Sequence, residues 1–306
     1  MVRKDKRVMT LKTGEIIPIT FDYVFTGIFN NEKNIDIVES FLAVYFDKPL
    51  KEIKGHVKIK SRNLDIESKK EKNKQVDLIL EVDGNKINIE LNNNSSEGVK
   101  NRNVVYQNNI HGRQLRYKDN DYSKIKDTIQ ICLNHFKCNE DGIKDVYYYR
   151  NNNGKILTEK SRIDYVDLVN AKEKRYNESE EKLARLCRAL TSITIEGLKK
   201  ELGDDLMEKE TKEKLEEEVS KYSSDDEVIA LYSAYSREEL ERNTLIKEAK
   251  EEATKQGLEQ GLKQGLTQGR KDKTLEIAQE MLNDDIETDK IIKYTGLTKK
   301  EIENLR

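Results

Sequence analysis

The stretch Gln75-Val-Asp-Leu-Ile-Leu-Glu-Val-Asp-Gly-Asn-Lys-Ile-Asn-Ile-Glu-Leu-Asn92 decides how this chain is read. Asp83-Gly84 lies between two runs of alternating apolar residues and is a strong turn signal, because both central positions of a type I′ turn need positive φ. The spacing predicts a β-hairpin. With Asp83 and Gly84 central, Val82 pairs with Asn85 and Asp77 falls opposite Glu90; with Gly84 and Asn85 central, Asp77 falls opposite Asn92. In both registers Asp77, Glu90 and Asn92 share one face, while Val76, Leu78, Leu80, Val82, Ile87, Ile89 and Leu91 form the other. A hairpin apolar on one side only has a strongly specified register.

Directly opposed side chains have Cβ atoms about 4.5–5.5 Å apart, so two carboxylates there repel unless one is protonated or a cation lies between them. A divalent ion resolves the conflict. Hard oxygen ligands suit Mg²⁺ or Mn²⁺, which take one or two protein carboxylates and keep other positions for water and phosphate. Such an ion activates water for attack on phosphorus. The competing reading is a one-sided hairpin that turns its polar residues to water.

Around the hairpin the chain reads as a mixed α/β domain ending near residue 170. Two amphipathic helices are predicted over 20–47, with Phe21, Val24, Phe25, Ile28 and Phe29 and then Ile35, Val38, Phe41, Leu42, Val44 and Tyr45 at helical spacing. Strands are predicted at 56–64, 127–133, 146–149 and 163–169, and one helix over 97–117. Pro18 and Pro49 are the only prolines. Nothing of that kind interrupts helices afterwards.

From about Glu173 the sequence turns to Glu, Lys, Leu and Ala, and residues 171–306 read as a helical extension. Within it, 256–270 is a four-residue repeat with Gly257, Gly261, Gly265 and Gly269. Each glycine costs a helix about 1 kcal/mol. Two readings stand: close helix-to-helix approach along the glycine stripe, giving self-association and a homodimer, or low-complexity linker. Residues 289–306 resemble a helix-turn-helix around Tyr294-Thr-Gly-Leu297, but the second helix has only two turns, which favours a capping hairpin.

Composition bounds the function classes. Lys plus Arg number 56 and Asp plus Glu 58, so net charge makes no case for or against nucleic acid. Charged residues are 37% against 35% hydrophobic, and the mean hydropathy of −0.85 implies solvated helix outside a core. No run approaches the roughly 18 apolar residues of a membrane span, and the charged start has no apolar stretch behind it, so a soluble cytoplasmic protein is expected. Three cysteines and three scattered histidines argue against disulfide scaffolds and structural zinc. Cys132 and Cys138 flank His135, but strand-end cysteines are usually just buried. Tyr147-Tyr-Tyr149 reads as alternating core and surface positions rather than a base-stacking platform.

Asp77 with Glu90-Leu-Asn92 resembles the Asp…Glu-x-Gln/Lys signature of the PD-(D/E)XK nuclease family transposases, the Rpn or recombination-promoting nucleases. Asp22-Tyr-Val-Phe-Thr-Gly-Ile-Phe29 is similar to that family's N-terminal Asp-x-x-Phe-Lys-x-Ile-Phe segment. Arg102-Asn-Val-Val-Tyr106, Gln114-Leu115 and Tyr122 resemble the helix after the active-site hairpin. Leu157-Thr158 through Asp167-Leu168 resembles the closing segment, and the glycine repeat with Leu297–Ile302 the tail. The resemblance implies a restriction-endonuclease-like core, 1–170, that is a metal-dependent DNA endonuclease serving mobile-element recombination or phage defence. It implies that Asp77 and Glu90 hold Mg²⁺ or Mn²⁺ with the Leu91 carbonyl, and that Arg102 and Tyr106 contact DNA. Asn92 stands where the family has Gln or Lys, and Thr26 where it has Lys. A neutral, shorter side chain at 92 opens the alternative of a catalytically degenerate DNA-binding or protein-interaction module of the same fold. On the nuclease reading, Asn92→Lys is expected to raise cleavage.

Overall fold

The computed structural model describes residues 9–64, 74–115 and 121–305. The elements run α1 (Asp22–Phe29), α2 (Ile35–Tyr45), β1 (Val57–Lys60), β2 (Asn63–Leu64), β3 (Lys74–Gln75), β4 (Leu78–Val82), β5 (Asn85–Asn92), α3 (Glu97–Gly112), β6 (Thr128–Asn134), β7 (Lys144–Tyr148) and β8 (Ser161–Asp167). Helices follow: α4 (Leu168–Glu173), α5 (Glu178–Leu190), α6 (Ile195–Glu201), α7 (Lys209–Ser223), α8 (Asp226–Asn283), α9 (Thr288–Thr295) and α10 (Lys299–Glu303). The mixed α/β class expected from the sequence is the one observed. Helix prediction over 97–117 runs long: α3 stops at Gly112, and Arg116–Tyr117 lie outside the described residues.

Six strands form one sheet in the order β1-β4-β5-β6-β8-β7. β1, β4 and β5 are antiparallel, β5, β6 and β8 run parallel, and β7 closes the edge antiparallel to β8. Asp83 at φ 50° and Gly84 at φ 87° make the tight turn, and Val82 pairs with Asn85. The first of the two registers is therefore the real one.

The apolar face of the hairpin carries Leu78, Leu80, Ile87 and Ile89, all buried in one core with Phe25, Ile28, Phe41 and Leu42 of α1 and α2. Val76 departs from the expected alternation. The chain bends at Asp77, and Val76 packs instead with Ile79 and with Ile110 of α3. The polar face does not look to water. α3 lies across β5, β6 and β8, and Asn88, Glu90, Asn92, Gln130 and Asn134 are at most 2% exposed. α3 meets this layer with polar residues: Asn103 and Gln107 are buried, whereas Val104 and Val105 face solvent. Gln107 Nε2 donates to the Thr128 carbonyl at 2.8 Å and to Ser161 Oγ at 3.2 Å, and Asn103 Nδ2 to the Tyr165 hydroxyl at 3.0 Å. Buried polar groups need such partners.

Residue 170 is not where the first compact unit ends. It runs to Ala234, and the second spans Tyr235–Arg306. Leu186, Leu190, Leu198, Leu215 and Val219 of α5–α7 are buried in the same core as α1 and α2. Main-chain bonds tie the start of the chain to this region, from Ile16 N–H to the Ile193 carbonyl at 2.9 Å and from Thr20 N–H to the Leu190 carbonyl at 3.2 Å. A methyl group at Gly27 of α1 would overlap the Tyr222 phenol of α7, so that glycine admits the ring. Asp167 closes the sheet: it is fully buried, its Oδ1 caps α4 through the Val169 and Asn170 N–H groups, and its Oδ2 accepts from Cys138 and Asn139.

In the second unit Leu275, Ala278 and Leu282 of α8 share a small core with Ile291 of α9, Ile302 of α10 and Leu297 in the turn between them. Gly296 at φ 71° ends α9, and Thr298 with Glu301 forms a capping box on α10. The stretch of α8 between is exposed. No helix among the described residues is long and apolar enough to cross a membrane.

Candidate active site at the hairpin

The register brings Asp77 and Glu90 together one step beyond the last paired residues, Leu78 and Ile89. The Asp77 N–H lies 3.3 Å from Glu90 Oε1, and the Leu91 N–H donates to Asp77 Oδ2 at 2.7 Å. Asn88 Nδ2 donates to Glu90 Oε1 at 3.2 Å, and Asn30 at the end of α1 holds the Asp77 carbonyl at 2.9 Å. Each carboxylate is thus fixed by backbone or amide donors, with no cationic side chain hydrogen-bonded to either among the described residues.

Burial pushes both carboxyls above the ordinary range. For Glu90 the charge of Asp77 adds to it; for Asp77 a smaller push comes from Asp22 at the start of α1, while the Leu91 bond and Arg102 act the other way. The two titrate as one unit, the upper step reaching about 8. The folded state therefore binds more protons than the unfolded chain. The stability this represents is complete below the ordinary carboxylate range and is lost as pH rises through about 8. Without added metal the melting temperature is expected to fall from pH 5 to pH 8.5, and Glu90→Gln to flatten that slope; parallel slopes in the two proteins would contradict the burial of the pair.

Asn92 is 1% exposed and touches neither carboxylate in any hydrogen bond. Its Oδ1 accepts from Arg102 Nη2 at 2.7 Å, and its Nδ2 donates to Asn134 Oδ1 at 2.9 Å. Arg102 also lies over the Tyr106 ring, 5.9 Å from the centroid. Both are half-buried, and burial, with Glu90 next, pushes the Tyr106 phenol up. Thr26 of α1 is turned back on its own helix, donating to the Asp22 carbonyl at 2.8 Å.

Sequence reading missed the supporting layer of Asn88, Gln130, Asn134, Asn103 and Gln107. The signal was present in the period-two polar positions of β5 and β6 and in the i, i+4 pair on α3, which read as solvent-facing until a polar helix covers them. Among the described residues no three His, Cys, Asp or Glu side chains cluster as a metal site. Cys132, Cys138 and His135 are not one. Burial pushes both thiols to about 12, and the histidine down to about 4. Tyr147 and Tyr149 are exposed and Tyr148 half-buried, the alternation expected of a strand.

No curated protein and no solved structure gave a significant match. Residues 271–306 match the model described as the C-terminal HTH domain of the Rpn/YhgA-like nuclease family. That corrects the capping-hairpin reading: the end of α8 is the helix which, with α9 and α10, completes a three-helix unit, and one continuous 58-residue helix concealed it. Residues 19–249 match the model described as PD-(D/E)XK nuclease family transposase. That span takes in α1, the hairpin, α3 and the helices packed behind the sheet, so with its paired carboxylates on β4's edge and β5 the chain belongs to the PD-(D/E)XK nuclease family transposases.

Proposed function

We propose that the chain is a divalent-metal-dependent DNA endonuclease acting inside the cell in recombination of mobile elements or in phage defence. One observation carries this reading: Asp77 and Glu90, buried together at the bend before β4 and on β5, are kept close with raised affinity for positive charge. The donor set fits Mg²⁺ or Mn²⁺, since it consists of hard oxygens in the number such ions usually take from a protein. Asp77, Glu90 and the Leu91 carbonyl would hold the ion, which when bound supplies an activated water and offsets charge at the phosphate. Leu91 and Asn88 orient the carboxylates through their N–H donors. DNA as the substrate is supported by the helix-turn-helix match.

Self-association through α8 belongs to the same proposal. Leu258, Leu262 and Leu266 are more than half exposed, and Gly257, Gly261, Gly265 and Gly269 have open space where a Cβ would stand. An apolar stripe beside small residues on a charged helix suits a second copy of α8.

The test is nicking of supercoiled plasmid by the full chain in Mg²⁺ or Mn²⁺ against EDTA. Metal-dependent nicking supports the reading. Its absence in both metals, with the protein folded, favours the degenerate module that the neutral Asn92 suggests.

A further inference from the structure

We propose that Arg102 of α3, and not the residue at position 92, is the cation that faces the reacting phosphate. The proposal rests on the nuclease reading above and names the group that completes its site. Position 92 has no freedom to act. Both ends of the Asn92 amide are engaged, one by Arg102 and one by Asn134, whose own Nδ2 donates to the Cys132 carbonyl at 3.0 Å. That chain of amides anchors Asn92 to β6 and turns its oxygen toward α3. Asn92 is a positioning residue for the guanidinium.

Arg102 has the opposite character. One nitrogen holds Asn92, two residues along β5 from Glu90 and on the same face, and the ring of Tyr106 lies 5.9 Å from the guanidinium carbon. Its Nε–H is buried and has no hydrogen-bond partner among the described residues. An idle charged donor over the face of β5 that carries Glu90 is the arrangement expected where an anion is to be received, and the planar fork of arginine matches oxygens of a phosphodiester. The ligand chemistry is therefore a phosphate oxygen next to the carboxylate pair. Charge that a lysine at 92 would bring along β5 arrives here from the covering helix.

This reverses the expectation for Asn92→Lys. An ammonium at 92 would lie against the Arg102 guanidinium in a buried place, and like charges repel. The single variant is expected to cleave no faster than wild type. Moving the charge is the informative change: Asn92→Lys combined with Arg102→Gln.

The experiment uses the full chain, a linear duplex, Mn²⁺ and single-turnover conditions at saturating protein, with melting curves to check folding. Arg102→Gln is expected to slow cleavage roughly 10²–10³-fold, Arg102→Lys less, and the double variant to regain at least about tenfold over Arg102→Gln. A residue that only anchors DNA would instead weaken binding, lower the salt dependence by about one charge, and leave the saturated rate unchanged; that result overturns the proposal. So does a double variant no faster than Arg102→Gln. Mn²⁺ titration without DNA gives an independent readout. Removing a cation beside the carboxylates is expected to tighten Mn²⁺ binding roughly tenfold, with the double variant returning toward wild type. Unchanged Mn²⁺ affinity in Arg102→Gln overturns the placement of the charge. If wild type does not cut, the nuclease reading fails by itself, and the Mn²⁺ series still decides whether Arg102 is the cation of this site.

Discussion

Asp77→Ala and Glu90→Ala are each expected to abolish metal-dependent cleavage and to weaken Mn²⁺ binding beyond the roughly 10–100-fold that outer-shell partners carry. The two carboxylates are the only pair the hairpin brings to one point on its polar face, held there by the Leu91, Asp77 and Asn88 donors. Neither alanine removes core packing, because both side chains belong to the polar layer. Each also removes a buried carboxyl whose ionisation beside its partner costs stability as pH rises through about 8. Glu90→Ala does leave the Asn88 amide without its partner, so Glu90→Gln is the better control for folding. Calorimetric Mn²⁺ titration and plasmid nicking at matched helical content decide the matter. Cleavage at the wild-type rate by any of these variants would remove the site from the hairpin.

Cutting the chain after Asn170 is expected to yield insoluble or unfolded protein, whereas cutting after Ala234 leaves a cooperatively folding unit. Leu186, Leu190, Leu198, Leu215 and Val219 lie beyond residue 170 and are buried against α1 and α2. Burial of each such side chain contributes about 1.5–3 kcal/mol, so the five together contribute about 8–15 kcal/mol. A domain's whole stability is about 5–15 kcal/mol. The shorter piece also loses the partners of the Ile16 and Thr20 amides. Urea denaturation of both pieces tests this directly; a soluble 1–170 fragment with a sigmoidal transition would show that α5–α7 are dispensable. Light scattering on 1–234 beside the full chain reads out the second half of the proposal. A monomer for the former and a dimer for the latter would locate self-association in the tail, and equal oligomeric states would remove the role given to the glycine stripe.

The covering of the hairpin by α3 sets the environment of the two carboxylates. An open polar face would leave both carboxylates solvated and ordinary. Under α3 they are desolvated, and their affinity for protons is raised. The same helix carries Arg102 to Asn92. One element thus sets both the demand for positive charge and the place where a fixed positive charge stands.

Which of two registers the hairpin takes was decided by the structure; the pattern of residues was enough by itself for the hairpin, its turn region, the shared face of Asp77, Glu90 and Asn92, and helices α1 and α2. All are local: turn chemistry at Asp83-Gly84 and alternation over 76–91 act between residues a few positions apart. Tertiary structure alone decided what covers the polar face, since a period-two polar pattern is the same whether water or a polar helix lies against it. It also decided where the first unit ends. Composition changes near residue 173, yet the core continues through Val219, because an amphipathic helix carries the same stripe whether it packs on its own sheet or on another chain. The end of α8 was concealed for a related reason: a long helix has one uninterrupted periodicity, and only the packing of Ala278 against Ile291 and Ile302 shows that its end belongs to the terminal three-helix core.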